Sequence, residues 1–449
     1  MNESFKLVGT ANKIELKRGP LLRFTLTLLC QKKEKILLMK FNTKSRMLMS
    51  LLPIGLGLAL SAHASDKEPS TPKAESSALQ LSDGSLFKAH ASYPKFSWDV
   101  TPQYFMFGAP DVLTPMEVEH IAQLSDFICI EKAHGMKTLG SAELGAKHEA
   151  AAFKKIKPDT KVLFYFNSAY AYPFTSYSKG LSKNKINSNP ELKAFLIKDP
   201  ETGELAKRGS TYFFDVLNPD FREWWVKTVA KGVADSACDG AFIDQMHGFS
   251  WLRGDKSKEV RMAMAEMMTS LKKQLGPNKI LLANNAQDVD GVLAVSDASM
   301  FEHYNSKTLS KEALLRDWEN MLKIAKLGKM SIFRIGVEQD IHITEEEKAK
   351  LHEGPNLNAK MAEFSKQRLE YYQAAFLIGA QPYSYFQYGW GWRLKTGPLE
   401  SYPDLLKSLG APKAAFTRVD KNAWVFTREF EHASVWVDTE KGKGKITWK

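Results

Sequence analysis

Short apolar segments alternate with amphipathic helical stretches along most of the chain, and this alternation is the feature that most constrains the fold. Eight segments have the length and apolar content of buried strands, at residues 104–107, 127–131, 162–166, 240–244, 280–284, 299–303, 331–335 and 383–387. Strands that alternate with helices form parallel sheets built from βα units. Eight such units are the number that closes a barrel. The sequence therefore predicts an α/β fold of the (β/α)8 TIM-barrel class.

Helix signals between these segments support the same fold. Thr114-Pro115, Asn218-Pro219 and Ser310 are typical helix starts, and a closing helix over residues 359–378 ends before Gly379. An open doubly wound sheet is the alternative arrangement of parallel strands. No glycine-rich phosphate-binding turn follows the first strand, which counts against the nucleotide-binding form of that fold.

The hydrophobic pattern changes beyond residue 409. Apolar residues recur at every second position over residues 423–428, 434–437 and 445–448, with polar turns between them. This period is that of antiparallel strands with one buried face. We therefore expect a barrel domain over residues 96–409 and a small antiparallel β domain over residues 410–449.

The segment 39–64 has the three parts of a secretory signal peptide. Basic residues precede an apolar run over residues 47–60, and Ala62-His63-Ala64 forms a small-x-small cleavage site. A membrane anchor is the weaker interpretation, because the run is short and contains Pro53, Gly55 and Gly57. We expect cleavage after Ala64, export to the periplasm or the extracellular medium, and no stable membrane span after cleavage.

A signal peptide that starts at Met39 leaves residues 1–38 as an N-terminal extension outside the native gene product. Residues 65–95 follow the cleavage site, and their first part is rich in Ser, Pro, Lys and Glu with few large apolar side chains. This composition is typical of a flexible segment. We therefore interpret residues 65–95 as a flexible leader to the barrel.

The positive charge of the chain is concentrated in the segments that precede the predicted mature protein. The chain carries 62 Lys and Arg against 51 Asp and Glu, a net charge of +11. Residues 1–64 hold eleven basic and three acidic residues, which accounts for eight of these charges and leaves three for the remainder. A nucleic-acid partner is therefore not expected.

In a (β/α)8 barrel the active site lies where the strands end, so the last residue of each strand indicates the chemistry. Asp244 closes the apolar strand Gly-Ala-Phe-Ile-Asp, and Glu302 follows Ser-Met-Phe in the same way. Ionisable groups are costly in a core and useful at a barrel mouth. Two carboxyl groups are what glycosidic hydrolysis requires. We expect Asp244 and Glu302 to be the catalytic pair, with Glu131 in reserve.

Polar and aromatic residues at the other strand ends and loops form a predicted substrate-binding set. Aromatic faces in this position together favour a groove for sugar rings, although each aromatic alone is better explained by packing. Tyr172, Trp251, Tyr383 and Trp392 belong to the same wider group. The predicted set consists of Glu131, Asn167, Tyr170, Gln245, His247, Asn284, His303, Tyr304, Arg334, Tyr385 and Trp390.

Other chemistries find little support. His134, His247 and His303 come from separate strands, without the spacing of a zinc motif, so neither a metal nor a cofactor is expected. The chain has no Gly-x-Ser-x-Gly elbow and no phosphate loop. Cys129 and Cys238 fall in or beside predicted barrel segments, and two buried thiols or one disulfide are both consistent with that placement.

Four stretches resemble uncharacterised secreted glycoside-hydrolase-like barrel families, which are similar to polygalactosaminidases and more distantly to the alpha-amylase clan. They are Phe-Ile-Cys-Ile-Glu at 127–131, Phe-Asp-Val-Leu-Asn-Pro-Asp-Phe-Arg-Glu-Trp-Trp at 214–225, Asp-Gly-Ala-Phe-Ile-Asp at 239–244 and Met-Phe-Glu-His-Tyr at 300–304. The stretch at 427–438 resembles the β domain that often follows such barrels.

The resemblance implies a fourth-strand Asp and a later-strand Glu as the catalytic pair, which correspond to Asp244 and Glu302. The alpha-amylase clan places its acid on the fifth strand, where this chain has Asn284 and Asn285. That departure favours Glu302.

These observations predict an exported glycoside hydrolase that cleaves a polysaccharide or oligosaccharide with two carboxylates. Asp244 would be the nucleophile or electrostatic stabiliser, and Glu302 the general acid and base. Two alternatives stay open: a barrel that binds glycans without catalysis, and a polysaccharide lyase that uses Arg334 and His303.

Overall fold

The computed structural model describes residues 79–340 and 355–449, together with an antiparallel hairpin of two short strands, Ile14–Arg18 and Leu22–Leu26. The predicted signal peptide at 39–64 and residues 65–78 of the predicted leader lie outside the described residues. Apart from the hairpin, so does the predicted extension at 1–38.

The main sheet contains eight parallel strands that follow one another in chain order. Backbone hydrogen bonds from Tyr104 to Phe386 (2.9 Å) and from Phe386 to Pro102 (2.8 Å) join the first strand to the eighth and close the barrel. The (β/α)8 prediction is therefore confirmed, and every predicted strand end is within two residues of the observed one. The strands are β1 (Phe105–Phe107), β2 (Phe127–Ile130), β3 (Lys161–Asn167), β4 (Gly240–Asp244), β5 (Ile280–Asn284), β6 (Ala298–His303), β7 (Met330–Gly336) and β8 (Ser384–Gly389).

Helices cover the outside of the barrel between the strands. At three predicted starts, the side chains of Thr114, Asn218 and Ser310 accept backbone N–H groups of the first turn, which otherwise have no partner. The helices are α1 (Pro115–Leu124), α2 (Met136–Leu139), α3 (Ala142–Ile156), α4 (Pro190–Ala194), α5 (Pro219–Asp235), α6 (Ser257–Leu275), α7 (Asp290–Val295), α8 (Lys311–Lys326) and α9 (Pro355–Gly379).

The interior of the barrel is built in layers, because residues two apart on a strand share a face. The lower layers are apolar and belong to one buried cluster that includes Phe127, Leu163, Phe242, Leu282 and Ile332. Two or four residues further along the same strands, the inward side chains become polar. This upper layer contains Glu131, Asn167, Asp244, Asn284, Glu302, Arg334 and Gln387.

The N-terminal end of the barrel is covered by part of the predicted leader. Leu81, Phe87 and Tyr93 are buried in the same cluster as the barrel interior, and the Phe87 ring stacks on Tyr383 at 4.6 Å. The prediction of a flexible segment was wrong over residues 79–95. Its few apolar residues are spaced so that they seal the open end of the barrel.

Both cysteines of the barrel are buried and unbonded. Burial raises the pKa of the Cys238 thiol to about 12 and that of Cys129 well above its ordinary value. A thiol that stays protonated is a poor nucleophile. Of the two interpretations, the structure contains two buried structural thiols and no disulfide between them.

A four-stranded antiparallel sheet follows the barrel, as the change of hydrophobic period predicted. Phe426, Val435, Val437 and Ile446 point from it into a cluster shared with α9. One short strand, β9, was not predicted. The strands are β9 (Thr417–Arg418), β10 (Val425–Glu429), β11 (Ala433–Asp438) and β12 (Lys443–Trp448).

A buried arginine fastens this sheet to the barrel. Arg428 is 2% exposed, and its Nη1 atom donates to the carbonyls of Leu377 (3.0 Å), Ile378 (3.0 Å) and Ala380 (2.6 Å) at the end of α9. Carbonyls at a helix C-terminus have no partner within the helix and carry partial negative charge. The guanidinium therefore satisfies the helix end and positions the sheet.

Replacement of Arg428 by Ala should destabilise the protein by about 3 kcal/mol, because it leaves buried carbonyls without a donor. Urea unfolding followed by circular dichroism measures this loss. Arg418→Ala is the matched control: Arg418 is half-buried and its Nε atom donates to one carbonyl, of Ala423. Equal unfolding midpoints for the two variants would contradict the proposed role of Arg428.

Candidate active site

The amide of Asn284 lies between the two predicted catalytic carboxylates. Its Nδ2 atom donates to Asp244 Oδ1 at 3.0 Å and to Glu302 Oε2 at 2.6 Å. Asp244 and Asn284 end strands β4 and β5, and Glu302 is the last inward residue of β6, which brings the three side chains to one place at the barrel mouth. The nearest oxygens of Asp244 and Glu302 are therefore separated by no more than the sum of these two distances.

Asp244 is held by three further donors. Its Oδ2 atom accepts from the Tyr165 hydroxyl at 2.6 Å and from Asn167 Nδ2 at 3.1 Å, and its Oδ1 atom accepts from the Gln245 backbone N–H at 2.8 Å. Asn167 is fixed in turn, because its Oδ1 atom accepts from the backbone N–H of Tyr170 at 2.6 Å. Both oxygens of Asp244 are thus oriented as hydrogen-bond acceptors.

Glu302 is held from both sides. The Tyr304 hydroxyl donates to Oε1, and Asn285 Nδ2 donates to Oε2 at 3.3 Å. Asn285 also accepts the backbone N–H of Glu302 at 3.1 Å. Burial is the main cause of a raised pKa for Tyr304, and the charge of the nearby Glu302 carboxylate raises it further. The Tyr304 hydroxyl therefore remains a donor at neutral pH.

A third carboxylate, Glu131, shares this cavity. It directly follows β2, is 6% exposed and forms an ion pair with Lys132, whose Nζ atom lies 4.8 Å from the centre of the Tyr165 ring. Burial raises the pKa of Glu131, the Lys132 charge opposes this effect, and the charges of Asp244 and Glu302 add to it. All three carboxylates therefore act on one another electrostatically.

The backbone turns sharply just after each of three site residues. Lys132, Gln245 and Asn285 have φ values of 36°, 67° and 51°, in the left-handed region that residues other than glycine rarely adopt. They follow Glu131, Asp244 and Asn284. Such conformations concentrate at functional sites, where the surrounding structure compensates their cost.

Arg334 forms another wall of the site. It is 1% exposed, its guanidinium lies 5.0 Å from the Tyr304 ring centre and 4.4 Å from that of Trp392, and its Nη2 atom donates to Glu338 Oε1 at 2.8 Å. Its Nη1 atom donates to the His303 carbonyl at 2.8 Å. The charge of Arg334 is therefore engaged within the protein, and its main effect is to fix the two rings.

The loop after β3 contributes two stacked aromatic rings. Tyr170 and Tyr172 lie 5.5 Å apart with nearly parallel planes, and Arg208 Nη1 is 3.4 Å from the Tyr170 hydroxyl. Burial raises the pKa of Tyr172, and Lys132 and Asp244 are among the charges that influence it. Both rings line one pocket with Lys132, Tyr165 and Asn167, so this loop borders the site.

The structure brings most of the predicted set together, but it places two members in the packed interior. The side chain of His303 points outward to helix α8, where its Nε2 atom lies 2.7 Å from Asp317 Oδ2. Glu302 points inward, and the next residue of a strand must point the other way. Tyr385 is 4% exposed among Phe96 and Phe127, one layer below the polar residues.

Two other predicted residues are also separate from the carboxylates. Trp390 is 3% exposed, and its indole N–H donates to Asn358 at 2.9 Å, so its ring packs against α9. His247 lies half-buried on the loop after β4, 3.8 Å from Asp288. Their positions after strand ends were correctly predicted, but strand ends alone do not determine which way a loop side chain points.

Three residues outside the predicted set belong to the site. Lys132 follows Glu131 directly, and its proximity to a candidate acid was a signal for it. Tyr165 precedes Asn167 by two residues, so the strand period places both on the inward face. Trp392 was grouped among the loop aromatics, and its contact with Arg334 distinguishes it from Trp390.

Within residues 79–340 and 355–449, no cluster of His, Cys, Asp and Glu has the arrangement that could hold a metal ion. Two buried oxygens near the carboxylates, Asn284 Oδ1 and Gln387 Oε1, have no hydrogen-bond partner. Both are acceptors, as a ligand with many hydroxyl donors requires.

Replacement of Lys132 by Met should destabilise the protein by about 3 kcal/mol at pH 8, because it leaves the Glu131 carboxylate buried without its counter-charge. The pKa of Glu131 is already raised by burial, so at pH 4 the carboxyl is protonated in both folded and unfolded states and the loss should be small. The free energy of unfolding at the two pH values measures this difference.

The double variant Glu131→Gln/Lys132→Met is the control for this experiment. It removes both charges, and it should recover most of the stability at pH 8. A loss that is the same at pH 4 and pH 8 would contradict the ion-pair account.

Comparisons with solved structures give several glycoside hydrolases. The glycoside hydrolase domain of PelA from Pseudomonas aeruginosa is 13% identical, with 59% of this chain and 92% of that chain covered and a TM-score of 0.38. Ega3 from Aspergillus fumigatus, solved with galactosamine, is 11% identical, with 60% and 91% covered and a TM-score of 0.37. An alpha-amylase from Geobacillus thermoleovorans, solved with acarbose, is 11% identical, with 76% and 87% covered and a TM-score of 0.42.

A search of curated proteins gives no match. The family described as hypothetical glycosyl hydrolase family 15 matches residues 154–434, which is more than half of the chain. This match spans strands β3 to β8 and with them Asp244, Asn284 and Glu302. It confirms the resemblance stated from sequence and the predicted enzyme class, a glycoside hydrolase. The chain belongs to the hypothetical glycosyl hydrolase family 15.

Proposed function

We propose that the protein is an exported glycoside hydrolase that cleaves a polysaccharide or oligosaccharide with Asp244 as nucleophile and Glu302 as general acid and base. The observation that carries this proposal is the Asn284 amide, which donates to both carboxylates at once. Hydrolysis of a glycosidic bond requires two carboxyl groups that flank the same bond.

The hydrogen bonds around the two carboxylates support this division of roles. Asp244 accepts from Tyr165, Asn167, Asn284 and the Gln245 backbone, so it is held as an oriented anion that can attack or stabilise a positive anomeric carbon. Glu302 has fewer donors and lies beside the Tyr304 hydroxyl. It is the group suited to protonate the leaving oxygen and later to activate water.

The spacing of the carboxylates favours retention of anomeric configuration. Asn284 Nδ2 lies 3.0 Å from one carboxylate and 2.6 Å from the other, so the facing oxygens are closer than the about 6.5 Å at which the range of inverting enzymes begins. A shorter separation leaves room for direct attack by Asp244 but not for an intervening water. The proposed reaction is therefore a double displacement through a glycosyl-enzyme.

In this displacement, Asp244 forms a bond to the anomeric carbon as the glycosidic bond breaks, and Glu302 donates its proton to the departing oxygen. In the second step Glu302 accepts a proton from water, whose oxygen attacks the anomeric carbon and releases Asp244. The electron pair of each broken bond stays with its oxygen. Glu131 and Lys132 form an adjacent ion pair and do not enter these steps.

Two features of the cavity support a carbohydrate substrate. Stacked rings and a fixed indole, Tyr170, Tyr172 and Trp392, border the carboxylates, and aromatic faces suit the apolar faces of sugars. The free acceptors Asn284 Oδ1 and Gln387 Oε1 suit hydroxyl donors.

The alternative functions find less support in the geometry. A lyase would use His303 and Arg334, but His303 is bound to Asp317, and Arg334 is paired with Glu338. A binding protein without catalysis would not require Asp244 and Glu302 to meet at one amide.

Export rests on the signal-like segment at 39–64. Expression from Met39 in a Gram-negative host should yield a mature protein in the periplasmic fraction that begins at Ser65, as intact-mass spectrometry will measure. Among the described residues, no helix is long and apolar enough to cross a membrane. A protein that remains uncleaved in the cytoplasmic fraction would contradict export.

Asp244→Asn and Glu302→Gln should each lower the rate of glycan hydrolysis by about 10³-fold or more, because each removes a group that acts on the reacting atoms. Reducing-end release from a panel of polysaccharides identifies the substrate and measures the rates. Asp288→Asn is the control, since Asp288 is an exposed carboxylate that contacts His247 and none of the site carboxylates. Full activity in either site variant would contradict the assignment.

A further inference from the structure

The chain between β3 and α5 builds a small core of its own beside the active site. This segment contains a two-stranded hairpin, Lys207–Arg208 with Thr211–Tyr212. It packs against the loop that follows β4. The shared cluster contains Ala169, Ile197, Ala206, Phe213 and Phe249, with Tyr170 and Leu252 packed against it.

Trp251 packs against the outer side of this core, and its side chain is exposed to solvent. Its side chain is 69% exposed, while Phe249, two residues earlier, is 7% exposed and lies beneath it with ring centres 6.1 Å apart. A tryptophan can bury a large apolar area. A ring left this exposed on the same end of the barrel as the carboxylates is therefore unusual for a residue that serves packing alone.

The backbone holds Trp251 in this exposed position. Gly248 and Phe249 have φ values of 54° and 52°, and a positive φ at a bulky residue such as Phe249 is strained. The 3-10 helix that follows, Ser250–Lys256, is fixed by the Leu252 N–H, which donates to the Phe249 carbonyl at 2.9 Å, and by the ion pair of Arg253 with Asp215. The exposure of Trp251 is thus built into the loop.

A series of aromatic contacts connects Trp251 to the pocket beside the carboxylates. Phe249 contacts the Tyr170 ring at 4.6 Å, and Tyr170 stacks on Tyr172 at 5.5 Å. Both tyrosines line one pocket with Lys132, Tyr165 and Asn167. Packed aromatic rings therefore connect Trp251, through the buried Phe249, to the two tyrosines that border the candidate active site.

We propose that Trp251 is the stacking platform of a distal sugar subsite, which binds a ring of the same glycan chain several units away from the bond that is cleaved. This inference rests on the proposed glycoside hydrolase function and specifies its substrate as a chain rather than a disaccharide. The occupant is a continuation of the substrate, because Trp251 lies on the same end of the barrel as the carboxylates and is joined by packed rings to the tyrosines that line their pocket.

Such a subsite acts on the affinity for long chains and not on the chemistry. Trp251→Ala should weaken the binding of a long glycan about tenfold, raise KM for polymers and leave kcat/KM for short oligosaccharides unchanged. Trp251→Phe should recover most of the affinity, because a ring face remains.

Affinity gel electrophoresis tests this with soluble starch, dextran, galactan, xylan and glycol chitosan as probes. The Asp244→Asn protein, which binds without turnover, should be retarded by at least one of them, and the additional Trp251→Ala substitution should remove most of that retardation. Trp436→Ala is the matched control: Trp436 is 37% exposed on β11 of the C-terminal sheet, and its loss should change nothing.

The inference is overturned if Trp251→Ala binds as tightly as its parent, if none of the five probes retards the protein, or if Trp251→Ala converts a dimer to a monomer on size-exclusion chromatography. The last result would show that a second copy of the chain covers the ring. Failure of the proposed function has a different signature, because binding that depends on Trp251 would persist while the wild-type protein releases no reducing ends.

Discussion

One amide group, that of Asn284, organises the site. Its two N–H bonds point in different directions, and each is directed to a different carboxylate, Asp244 or Glu302. Two anions at this separation repel each other strongly in a partly buried cavity. A shared donor offsets part of that repulsion and fixes the distance between the oxygens. The roles proposed for the two acids depend on that distance.

The barrel can hold these polar groups because its lower layers form an apolar core, which residues 79–95 close at the other end. Only the last inward residue of each strand reaches the mouth. The polar groups there are partnered with one another, so few of them remain unsatisfied. Glu131 shows the principle, since a carboxylate this buried is tolerated beside Lys132 and would otherwise be costly.

Much of the fold, and the meeting of the two candidate carboxylates at the barrel mouth, could be predicted from sequence. The eight strands were recognisable because each is a short apolar run between helix signals. Asp244 and Glu302 stood out because an ionisable residue closes an otherwise apolar strand. Near the carboxylates the same reasoning found Asn167, Asn284 and Tyr304, which occupy inward or adjacent positions.

The errors arose where the direction of a side chain is set by tertiary packing. His303 follows Glu302 by one residue and therefore faces α8 rather than the cavity. Trp390 and Trp392 are both loop tryptophans, and only the contact of Trp392 with Arg334 separates them. The direction of the Lys132 side chain depends on a left-handed backbone conformation, which no local sequence pattern predicts. The burial of Leu81 and Phe87 was not predicted, because the leader is polar overall and these two residues are buried only by packing against the end of the barrel.

The central claim is that Asp244 attacks the anomeric carbon while Glu302 lies across the same bond. Peptide mass spectrometry of the Glu302→Gln protein, quenched in acid during turnover of a glycosyl fluoride of its sugar, tests this directly, because fluoride departs without a proton donor while hydrolysis of the adduct still lacks its base. The account predicts a covalent sugar adduct on the peptide that contains Asp244. An adduct on another carboxylate, or no adduct together with a product of inverted configuration, would contradict it.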